Sequence, residues 1–349
     1  MKIIVACGGT GGHTFPGLAV AKALLAKGHE VIVWTSGRDV EKSVMKSWEG
    51  PVFATGAKQL KPKFAFAIMA SYFRCRRELK RQQPNVLLAM GSYASLPPVL
   101  AARSRGIPVV LHEANTVPGK AVEFLSRYAK VVATSFAMTE KYIKRAPCEL
   151  TGLPIRNEIS QGQRFDFIPE NAFVVMVTGG SQGAHRVNEL TSQAMVLVKK
   201  SVPLYVIHQT GMKDEAEVAE LYHSQGIPCR VHGFEHEMAN AFKSANLVIA
   251  RAGASTCFEI AACGKPVMFI PLPSAMKNHQ HFNADAFVSI GAADEGIQAD
   301  LSPKTIARYI ERAYEDKTHT EAMAAKILTL ATPDAAEKVA ELVIKNARQ

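Results

Sequence analysis

The sequence lacks the markers of several large protein classes. Its six cysteines include no C-x-x-C pair, so neither a zinc site nor a disulfide framework is indicated, and reduced thiols in a cytosolic compartment are expected. No run approaches the ~18 apolar residues of a membrane span, and the first apolar run meets glycines too early for a signal peptide. The motifs D-x-D, G-x-G-x-x-G and G-x-x-x-x-G-K-[ST] are absent. These absences weigh against a metal held by closely spaced carboxylates and against NAD or ATP.

What the chain has in excess is positive charge. Its 349 residues suffice for about two domains, 48% of them are apolar, and the formal net charge is +10. Residues 1–157 carry 23 Lys and Arg against 9 Asp and Glu, a net +14, whereas residues 158–349 carry 18 against 22, a net −4. Such an excess indicates an anionic partner and leaves nucleic acid, a phosphorylated metabolite and a membrane face open.

Short runs rich in Val and Ile alternate with segments of helical length, which predicts parallel sheets with crossover helices. The predicted strands of the first half are residues 3–7, 30–35, 51–55, 86–90, 108–112 and 131–134, and those of the second are 173–178, 204–208, 229–232, 247–250 and 267–270. A Gly- and Pro-rich segment at residues 151–157 separates the two series. We therefore expect domains at residues 1–157 and 158–332, with a closing helix at 333–349 that rejoins the first domain.

Two glycine loops resemble each other. Residues 5–13 read VACGGTGGH and residues 177–185 read VTGGSQGAH, each a strand that runs through glycines into a helix. Such loops let a phosphate approach backbone N–H groups at a helix N-terminus, although one loop alone is equally well explained as turn chemistry. Two matched loops favour a ligand. The predicted fold class is α/β, with two Rossmann-like doubly wound domains that face a central cleft.

Two further features suggest chemistry. His13 starts the first predicted helix, where an imidazole can act as general base near neutral pH, or else serve as a cap or structural histidine. The segment at residues 251–259 (RAGASTCFE) follows a strand, and Glu259 lies one turn into the next helix, where it could accept both hydroxyls of a ribose. The alternative is a helix cap with a solvated glutamate. His279 and His281 do not share a helix face, which argues against a metal site.

A basic segment at residues 58–81 is interleaved with apolar side chains. Its eight cations, opposed by Glu78, are Lys58, Lys61, Lys63, Arg74, Arg76, Arg77, Lys80 and Arg81. Its apolar residues form two stripes at helical spacing, Phe64/Ile68/Tyr72 and Met69/Phe73, with Phe66 beside them. A helix of this kind docks on an anionic bilayer surface, and the alternative is a core-packed helix with a solvated basic face. Nucleic acid is disfavoured because no recognisable binding module is present.

In order and spacing, these and further motifs resemble the MurG family of bacterial transferases. The motifs are residues 8–17 (GGTGGHTFPG), 112–115 (HEAN), 179–184 (GGSQGA), 208–211 (HQTG), 251–259 (RAGASTCFE), and His279-Gln280 with Asn283-Ala284. The resemblance implies a GT-B fold and transfer of N-acetylglucosamine from UDP-N-acetylglucosamine to undecaprenyl-pyrophosphoryl-MurNAc-pentapeptide (lipid I). The product is lipid II with a β-1,4 linkage, used in peptidoglycan synthesis. Other GT-B UDP-sugar enzymes, such as a glycolipid transferase or a UDP-N-acetylglucosamine 2-epimerase, and a non-catalytic UDP-sugar-binding membrane scaffold remain alternatives.

The resemblance also implies roles for residues. It makes His13 the leading candidate for the general base and gives the second domain most of the donor contacts. The expected contacts to UDP-N-acetylglucosamine are Thr10, Gly11, Gly12, Asn115, Arg156, Ser181, Glu235, Ala254, Ser255, Thr256, Cys257, Phe258, Glu259 and Gln280. The expected acceptor and membrane residues of the first domain are Lys61, Lys63, Phe64, Ile68, Tyr72, Phe73, Arg74, Arg76, Arg77 and Tyr93. No obligatory metal or cofactor is expected, the location is the cytoplasmic side of the inner membrane as a peripheral protein, and contacts with cell-wall synthesis proteins stay open.

The chain departs from the family at a few positions. Residues 91–98 read GSYASLPP where the family has a more glycine-rich loop, which leaves the details of acceptor binding open. Leu153 replaces the usual Asn of the linker, and Ala114 replaces the Gln before Asn115. Glu235 stands at a position that touches uracil through its backbone in the family, so its side chain is not expected to interfere.

Overall fold

A computed structural model describes residues 1–9, 11–38, 41, 44–59 and 64–349, with Asn157 described by its backbone only. Thr10, Lys61 and Lys63, which carry predictions above, lie outside these residues. The contacts divide the chain into two compact units. Unit 1 comprises Met1–Arg156 with Thr332–Gln349, and unit 2 comprises Asn157–Ala331. The last helix is therefore part of unit 1.

Unit 1 is built on a parallel sheet. Within the described ranges its seven strands are β1 (Lys2–Ala6), β2 (Glu30–Thr35), β3 (Val52–Ala54), β4 (Val86–Ala89), β5 (Val109–Glu113), β6 (Val131–Thr134) and β7 (Cys148–Leu150). Its longer helices are α1 (Gly11–Ala26), α2 (Ala65–Gln82), α3 (Leu96–Arg103), α4 (Lys120–Leu125) and, from the end of the chain, α12 (Ala335–Lys345). Short 3₁₀ turns lie at Tyr93–Ser95, Ser126–Tyr128 and Ala137–Lys141.

Unit 2 repeats this plan. Its six described strands are β8 (Phe173–Thr178), β9 (Leu204–Gln209), β10 (Cys229–His232), β11 (Leu247–Ala250), β12 (Val267–Phe269) and β13 (Asp294–Glu295). Its helices are α5 (His185–Val198), α6 (Glu215–Ser224), α7 (Met238–Ser244), α8 (Ala254–Ala262), α9 (His279–Val288), α10 (Pro303–Glu315) and α11 (Lys317–Leu328), with 3₁₀ turns at Asn157–Ser160 and Met276–Asn278.

The strand order is the same in both sheets. It runs β3-β2-β1-β4-β5-β6-β7 in unit 1 and β10-β9-β8-β11-β12-β13 in unit 2, with parallel pairing throughout these strands. This is the doubly wound order, in which the chain reverses direction beside the first strand and ligands bind beyond the carboxyl ends of the strands there. The predicted α/β class with two Rossmann-like domains is confirmed. The switch points lie between β1 and β4 and between β8 and β11.

Side chains of the central strands are buried on both faces. In β1, Ile3 and Val5 belong to one apolar cluster and Ile4 and Ala6 to another, as expected for a parallel sheet covered by helices on each side. The first cluster also includes residues of α1 and α12. Continuous Val- and Ile-rich runs are typical of such strands, which is why all eleven predicted strands match the observed ones to within one residue. The edge strands β7 and β13 were not predicted.

The helix α2 has one narrow buried face. Ser71, Cys75 and Leu79 are buried, and they are spaced by four residues, so they form a line along the helix. The helix is long, but no helix within the described ranges is both long and apolar enough to cross a membrane.

Candidate active site

The switch point of unit 1 brings together the loops that follow β1 and β4. His13 is the third residue of α1, and its Nδ1 lies 2.9 Å from the carbonyl oxygen of Met90, the residue after β4. Gly11 and Gly12 form the first residues of the same helix, whose leading N–H groups have no partner within the helix. The predicted base and two predicted donor contacts thus lie at one end of one sheet.

The contact with Met90 determines which nitrogen of His13 can accept a proton. A carbonyl oxygen only accepts hydrogen bonds, so Nδ1 carries the hydrogen and Nε2 keeps a free lone pair in the neutral ring. Burial lowers the pKa of His13 below its ordinary value, and the hydrogen bond to Met90 only partly opposes this effect. The ring is therefore neutral near pH 7, in the state that a general base requires.

The loop after β4 holds an unusual serine. Ser92 has φ 62° and ψ 172°, a backbone region that is essentially restricted to glycine. Its Oγ donates to the Gly8 carbonyl at 2.9 Å and accepts from the Ala94 N–H at 3.1 Å. The backbone therefore keeps the conformation of a glycine-rich loop although this position carries a side chain. Tyr93 follows, and its hydroxyl lies 3.3 Å from Arg38 Nη1.

Two charged residues that the sequence analysis did not single out contact the first glycine loop. The buried carboxylate of Glu41 accepts from the Gly9 N–H at 2.7 Å, and Arg38 Nη1 donates to the Gly9 carbonyl at 3.1 Å. Both residues lie in the segment after β2. They were missed because a single Glu and Arg in a polar stretch form no motif and follow no periodicity.

The loop after β5 is organised by another buried carboxylate. Glu113 accepts from the Asn115 N–H at 2.9 Å, from Asn115 Nδ2 at 3.2 Å and from the Gly119 N–H at 3.0 Å. Burial nevertheless raises the pKa of Glu113. The neighbouring His112 is also buried, and desolvation lowers its pKa to about 4, so it is uncharged near neutral pH.

Arg156 lies in the predicted linker at residues 151–157 and ends the first stretch of unit 1, Met1–Arg156. Its guanidinium carbon lies 4.9 Å from the centre of the Phe15 ring on α1, two residues beyond His13. This distance is typical of a cation–π contact. Gly11, Gly12, His13 and Arg156 therefore cluster around the first turns of α1.

In unit 2 the second glycine loop follows β8, and it includes Ser181, whose side chain is exposed. Gly183 has φ 72°, and a side-chain carbon on it would lie 2.0 Å from the carbonyl oxygen of Thr210. Only glycine fits there, which lets this loop pack against the loop after β9. The loop after β9 is in turn joined to the loop after β10, because the Gly211 N–H donates to the Gly233 carbonyl at 3.0 Å. The loops after β8, β9 and β10 therefore line one edge of the sheet.

The segment 254–259 forms the start of α8, as predicted for a helix that follows a strand. Cys257 and Phe258 are buried as whole residues, backbone included, so their predicted contacts with the donor have no exposed surface behind them. Ser255, Thr256 and Glu259 are half-buried, and Ala254 is buried. The side chains that can contact a ligand are thus the two hydroxyls and the carboxylate.

The loop before α8 is fixed by a buried arginine. Arg251 donates through Nη1 to the carbonyls of Ile270 and Pro271, at 2.9 and 3.0 Å, and through Nη2 to Gln298 Oε1 at 2.7 Å. Gln280, another predicted donor contact, is on α9, and its Oε1 accepts from the Leu272 N–H at 2.9 Å. These bonds connect the loops after β11 and β12.

Glu235 lies in the loop after β10, and its carboxylate points inward. Arg230 on β10 binds it through Nε at 2.8 Å and Nη2 at 3.0 Å, and Nη2 also contacts Glu237 at 2.8 Å. Burial disfavours the charged form of Glu235, but the hydrogen bonds from Arg230 and from the Glu237 N–H outweigh it and lower the pKa. The side chain is thereby removed from the loop surface, and the residue as a whole is buried.

The two apolar stripes of the basic segment differ in exposure. Phe64, Ile68 and Tyr72 are half-buried, and Tyr72 packs against the core of unit 1. Phe66 is 88% exposed, and Met69 and Phe73 are more than half exposed. The predicted acceptor and membrane residues Phe64, Ile68 and Tyr72 therefore face partly inward. The outward apolar face consists of Phe66, Met69 and Phe73.

The basic side chains follow that outward face toward the C-terminal end of α2. Arg74, Arg77, Lys80 and Arg81 are exposed, and Arg76 is half-exposed. A groove of about 690 Å³ is lined by Phe53, Arg74, Arg77, Glu78, Lys80 and Arg81.

In the described part of the chain, no group of three or more His, Cys, Asp or Glu residues is arranged to hold a metal ion.

Comparisons with known proteins agree over the whole chain. The Glycosyltransferase family 28 N-terminal domain matches residues 3–134, and the Glycosyltransferase family 28 C-terminal domain matches residues 174–339. A relative from Geobacter metallireducens, named UDP-N-acetylglucosamine--N-acetylmuramyl-(pentapeptide) pyrophosphoryl-undecaprenol N-acetylglucosamine transferase, is 35% identical over 100% of both chains. A relative of the same name from Geobacter sp. strain M21 is 36% identical over 99% of this chain and 96% of its own.

Solved structures give the same result. The crystal structure of Acinetobacter baumannii MurG is similar to this chain with a TM-score of 0.80 and 31% identity, over 99% of both chains. UDP-GlcNAc 2-epimerase from Neisseria meningitidis has a TM-score of 0.73 over 99% of this chain and 100% of its own, but only 14% identity, which shows a shared fold alone. From its glycine loops, its doubly wound units and these full-length similarities, the chain belongs to the MurG family of GT-B glycosyltransferases.

Proposed function

We propose that the protein transfers N-acetylglucosamine from UDP-N-acetylglucosamine to the 4-hydroxyl of the muramyl sugar of lipid I, forming lipid II with a β-1,4 linkage. The observation that carries the proposal is the placement of His13 at the switch point of unit 1, where the contact of Nδ1 with the Met90 carbonyl leaves Nε2 as the nitrogen that can accept a proton. Full-length similarity to transferases named for this reaction supports the choice of substrates.

In the proposed reaction His13 acts as general base. The acceptor 4-hydroxyl attacks the anomeric carbon of the donor while Nε2 takes the hydroxyl proton. The bond between the anomeric carbon and the diphosphate oxygen breaks, and UDP leaves with the electron pair. One displacement inverts the configuration at the anomeric carbon. The proton then returns from the imidazolium to solvent.

Unit 2 is proposed to bind most of the donor. The glycine loop with Ser181 and the start of α8 offer N–H groups and hydroxyls to the diphosphate, where the helix N-terminus stabilises negative charge. Glu259 is proposed to accept from the ribose hydroxyls, and the backbone of Glu235 to contact uracil. From unit 1, Thr10, Gly11, Gly12, Asn115 and Arg156 are proposed to add contacts to the donor.

No obligatory metal is proposed. In its place, N–H groups and Arg156 would neutralise the developing charge of UDP, since charge-assisted hydrogen bonds can stabilise an oxyanion without a cation. Turnover in excess chelator that equals turnover with added Mg²⁺ or Mn²⁺ supports this assignment, and loss of turnover on chelation that is restored by the cation contradicts it.

Unit 1 is proposed to bind the lipid acceptor, with Tyr93 on the acceptor side, and to dock on the cytoplasmic face of the inner membrane. The support is the exposed apolar face of Phe66, Met69 and Phe73 among the exposed arginines of α2. Apolar side chains gain free energy by entering the headgroup boundary, and each nearby cation adds about 1 kcal/mol on an anionic surface.

A lipid I conversion assay with labelled UDP-N-acetylglucosamine tests the reaction. Wild type should yield lipid II, and His13→Ala should lower kcat by about 10²–10⁴-fold while UDP binding is retained. Near-normal turnover of His13→Ala would remove His13 as the base. Donor binding without turnover of lipid I would favour the scaffold, and conversion of the donor to its 2-epimer, UDP-N-acetylmannosamine, would favour an epimerase.

Flotation with liposomes tests the docking. Binding should be stronger to vesicles with phosphatidylglycerol than to neutral vesicles, and should fall with added salt because surface charges are screened. Phe66→Ser with Phe73→Ser should weaken binding, whereas Leu25→Ser, an exposed apolar residue on α1, serves as the matched control. Equal binding to both vesicle types, or equal loss in the control, contradicts the proposal.

A further inference from the structure

Glu41 carries a buried carboxylate whose partners are almost all backbone groups. The side chain is only 2% exposed. Oε1 accepts from the N–H groups of Gly9 and Ser36, at 2.7 and 3.3 Å, and from the Ser36 hydroxyl. Oε2 accepts from the N–H groups of Gly37 and Arg38, at 2.8 and 3.1 Å. This one side chain therefore joins the segment after β2 to the glycine loop after β1.

Gly9 is held at both of its peptide groups. Its N–H donates to Glu41, and its carbonyl accepts from Arg38 Nη1 at 3.1 Å. Gly9 has φ 129°, where glycine moves freely and other residues are strained, so the loop has no conformational preference of its own to keep it in place. Its position depends on these two bonds and on Ser92, whose Oγ binds the Gly8 carbonyl from the other side.

The loop lies directly against His13. A side-chain carbon placed on Gly9 would be 3.9 Å from His13 Cδ2 and 2.7 Å from Ser92 Oγ. Gly9 thus lies beside the Cδ2 edge of the imidazole, and the ring is half-buried. Two buried ionisable groups of the same unit stay uncharged near neutral pH, because burial raises the pKa of Cys7 to about 12 and lowers the pKa of His112 to about 4.

We propose that Glu41 is a positioning residue for the proposed general base: it holds Gly9 beside the His13 ring and thereby keeps the ring correctly oriented and partly shielded from water. This inference rests on the proposed function of His13. Glu41 touches no reacting atom in this scheme and acts only through the loop. Arg38 supplies the second hydrogen bond to Gly9, and through the Tyr93 hydroxyl it connects the glycine loop to the proposed acceptor side.

The test compares Glu41→Gln with wild type by two independent measurements. Glutamine keeps the size of the side chain but presents an NH₂ group to one set of N–H donors, so half of the hydrogen bonds that Glu41 accepts are lost. We expect kcat for lipid I conversion to fall about 10–100-fold, with the Kd of UDP within twofold of wild type. In the free protein, NMR titration of the ¹³C-labelled His13 ring should show a pKa closer to 6.5, because water reaches the ring. The acid limb of the pH profile of kcat/KM should move to higher pH with it.

A matched control separates positioning from stability. Asn85 fastens the opposite end of β1, where its Oδ1 accepts from the Lys2 N–H at 2.9 Å and its Nδ2 donates to the Arg348 carbonyl at 3.0 Å. Asn85→Ala should lower the stability of unit 1 without moving the His13 titration. Should Glu41→Gln not fold, Arg38→Met removes the other bond to Gly9 and should raise the His13 pKa in the same direction.

Unchanged titration and unchanged kcat in folded Glu41→Gln would overturn the inference, and so would an equal shift in Asn85→Ala. Failure of the proposed function gives a different result. If His13→Ala retained turnover, the titration shift in Glu41→Gln would remain while its kcat stayed at the wild-type value.

Discussion

Because the backbone of Ser92 has a conformation typical of glycine, glycine should be a more stable replacement at this position than alanine, the reverse of the usual order. At most positions an alanine is more stable than a glycine by about 0.5–1 kcal/mol, because glycine loses more freedom on folding. At φ 62° and ψ 172° any residue with a side chain is strained by roughly 1–3 kcal/mol, and glycine is not. Both Ser92→Ala and Ser92→Gly lose the same two hydrogen bonds of the hydroxyl, so these cancel in the comparison. We therefore expect Ser92→Gly to be more stable than Ser92→Ala by about 1 kcal/mol.

Urea unfolding followed by tryptophan fluorescence measures this difference. The chain has two tryptophans, Trp34 and Trp48, and both lie in unit 1 with Ser92, so the signal reports on the relevant unit. Ser104 serves as the control, since it lies at the end of α3 with φ −66° and ψ −10°, where Ala should be the more stable replacement. If Ser92→Ala proves as stable as Ser92→Gly or more so, the inference of backbone strain is refuted. Relative to wild type, Ser92→Ala should lose roughly 1–3 kcal/mol for two hydrogen bonds.

Three further predictions concern donor binding and pH. Glu259→Ala should raise the KM for UDP-N-acetylglucosamine roughly 10–100-fold with little change in kcat, because a charged hydrogen bond to the ribose is lost in the ground state and the transition state alike. An unchanged KM in steady-state kinetics would exclude the contact. Arg230→Met should weaken UDP binding, measured by calorimetry, because the buried Glu235 carboxylate loses its ion-pair partner and its loop shifts. The double variant with Glu235→Leu should regain part of the affinity. Absence of any regain would contradict this account. The free energy of unfolding of unit 1 should fall by about 3 kcal/mol as pH decreases from 6.5 to about 4, because His112 then protonates in the unfolded chain and not in the folded one. In urea titrations, His112→Gln should show a smaller loss of stability over the same pH range. An equal loss would contradict the assignment.

The central part of the fold could be predicted from sequence because its signals are local. A buried parallel strand needs a continuous apolar run, and residues 30–35 (EVIVWT) or 247–250 (LVIA) provide one. The edge strands give no such signal, since β7 reads CEL with exposed residues and β13 consists of an Asp and a Glu. Their pairing depends on the neighbouring strand and not on their own composition.

The site was predictable where glycines and a polar residue share one loop, and not where distant segments meet. His13 follows its glycines directly, so the sequence suggests it. Glu41 reaches Gly9 across 32 positions of sequence. Helix α2 illustrates a related limit: its buried line includes Ser71 and Cys75, which are less apolar than Phe66 or Phe73 on the outside. Hydrophobicity alone therefore assigns the wrong face when a helix also has an exposed apolar surface.

The position of α12 has a consequence for the order of folding during synthesis. Val339, Leu342 and Val343 pack in the same cluster as Leu18 and Leu24 of α1, so the first and last helices of unit 1 share one core. All residues of unit 2 leave the ribosome before α12 does, and unit 2 can complete its own core first. The apolar face of α1 in unit 1 stays exposed until α12 has been synthesised and can pack against it. A nascent chain or a truncated product that ends before residue 335 would present that face to chaperones and to aggregation.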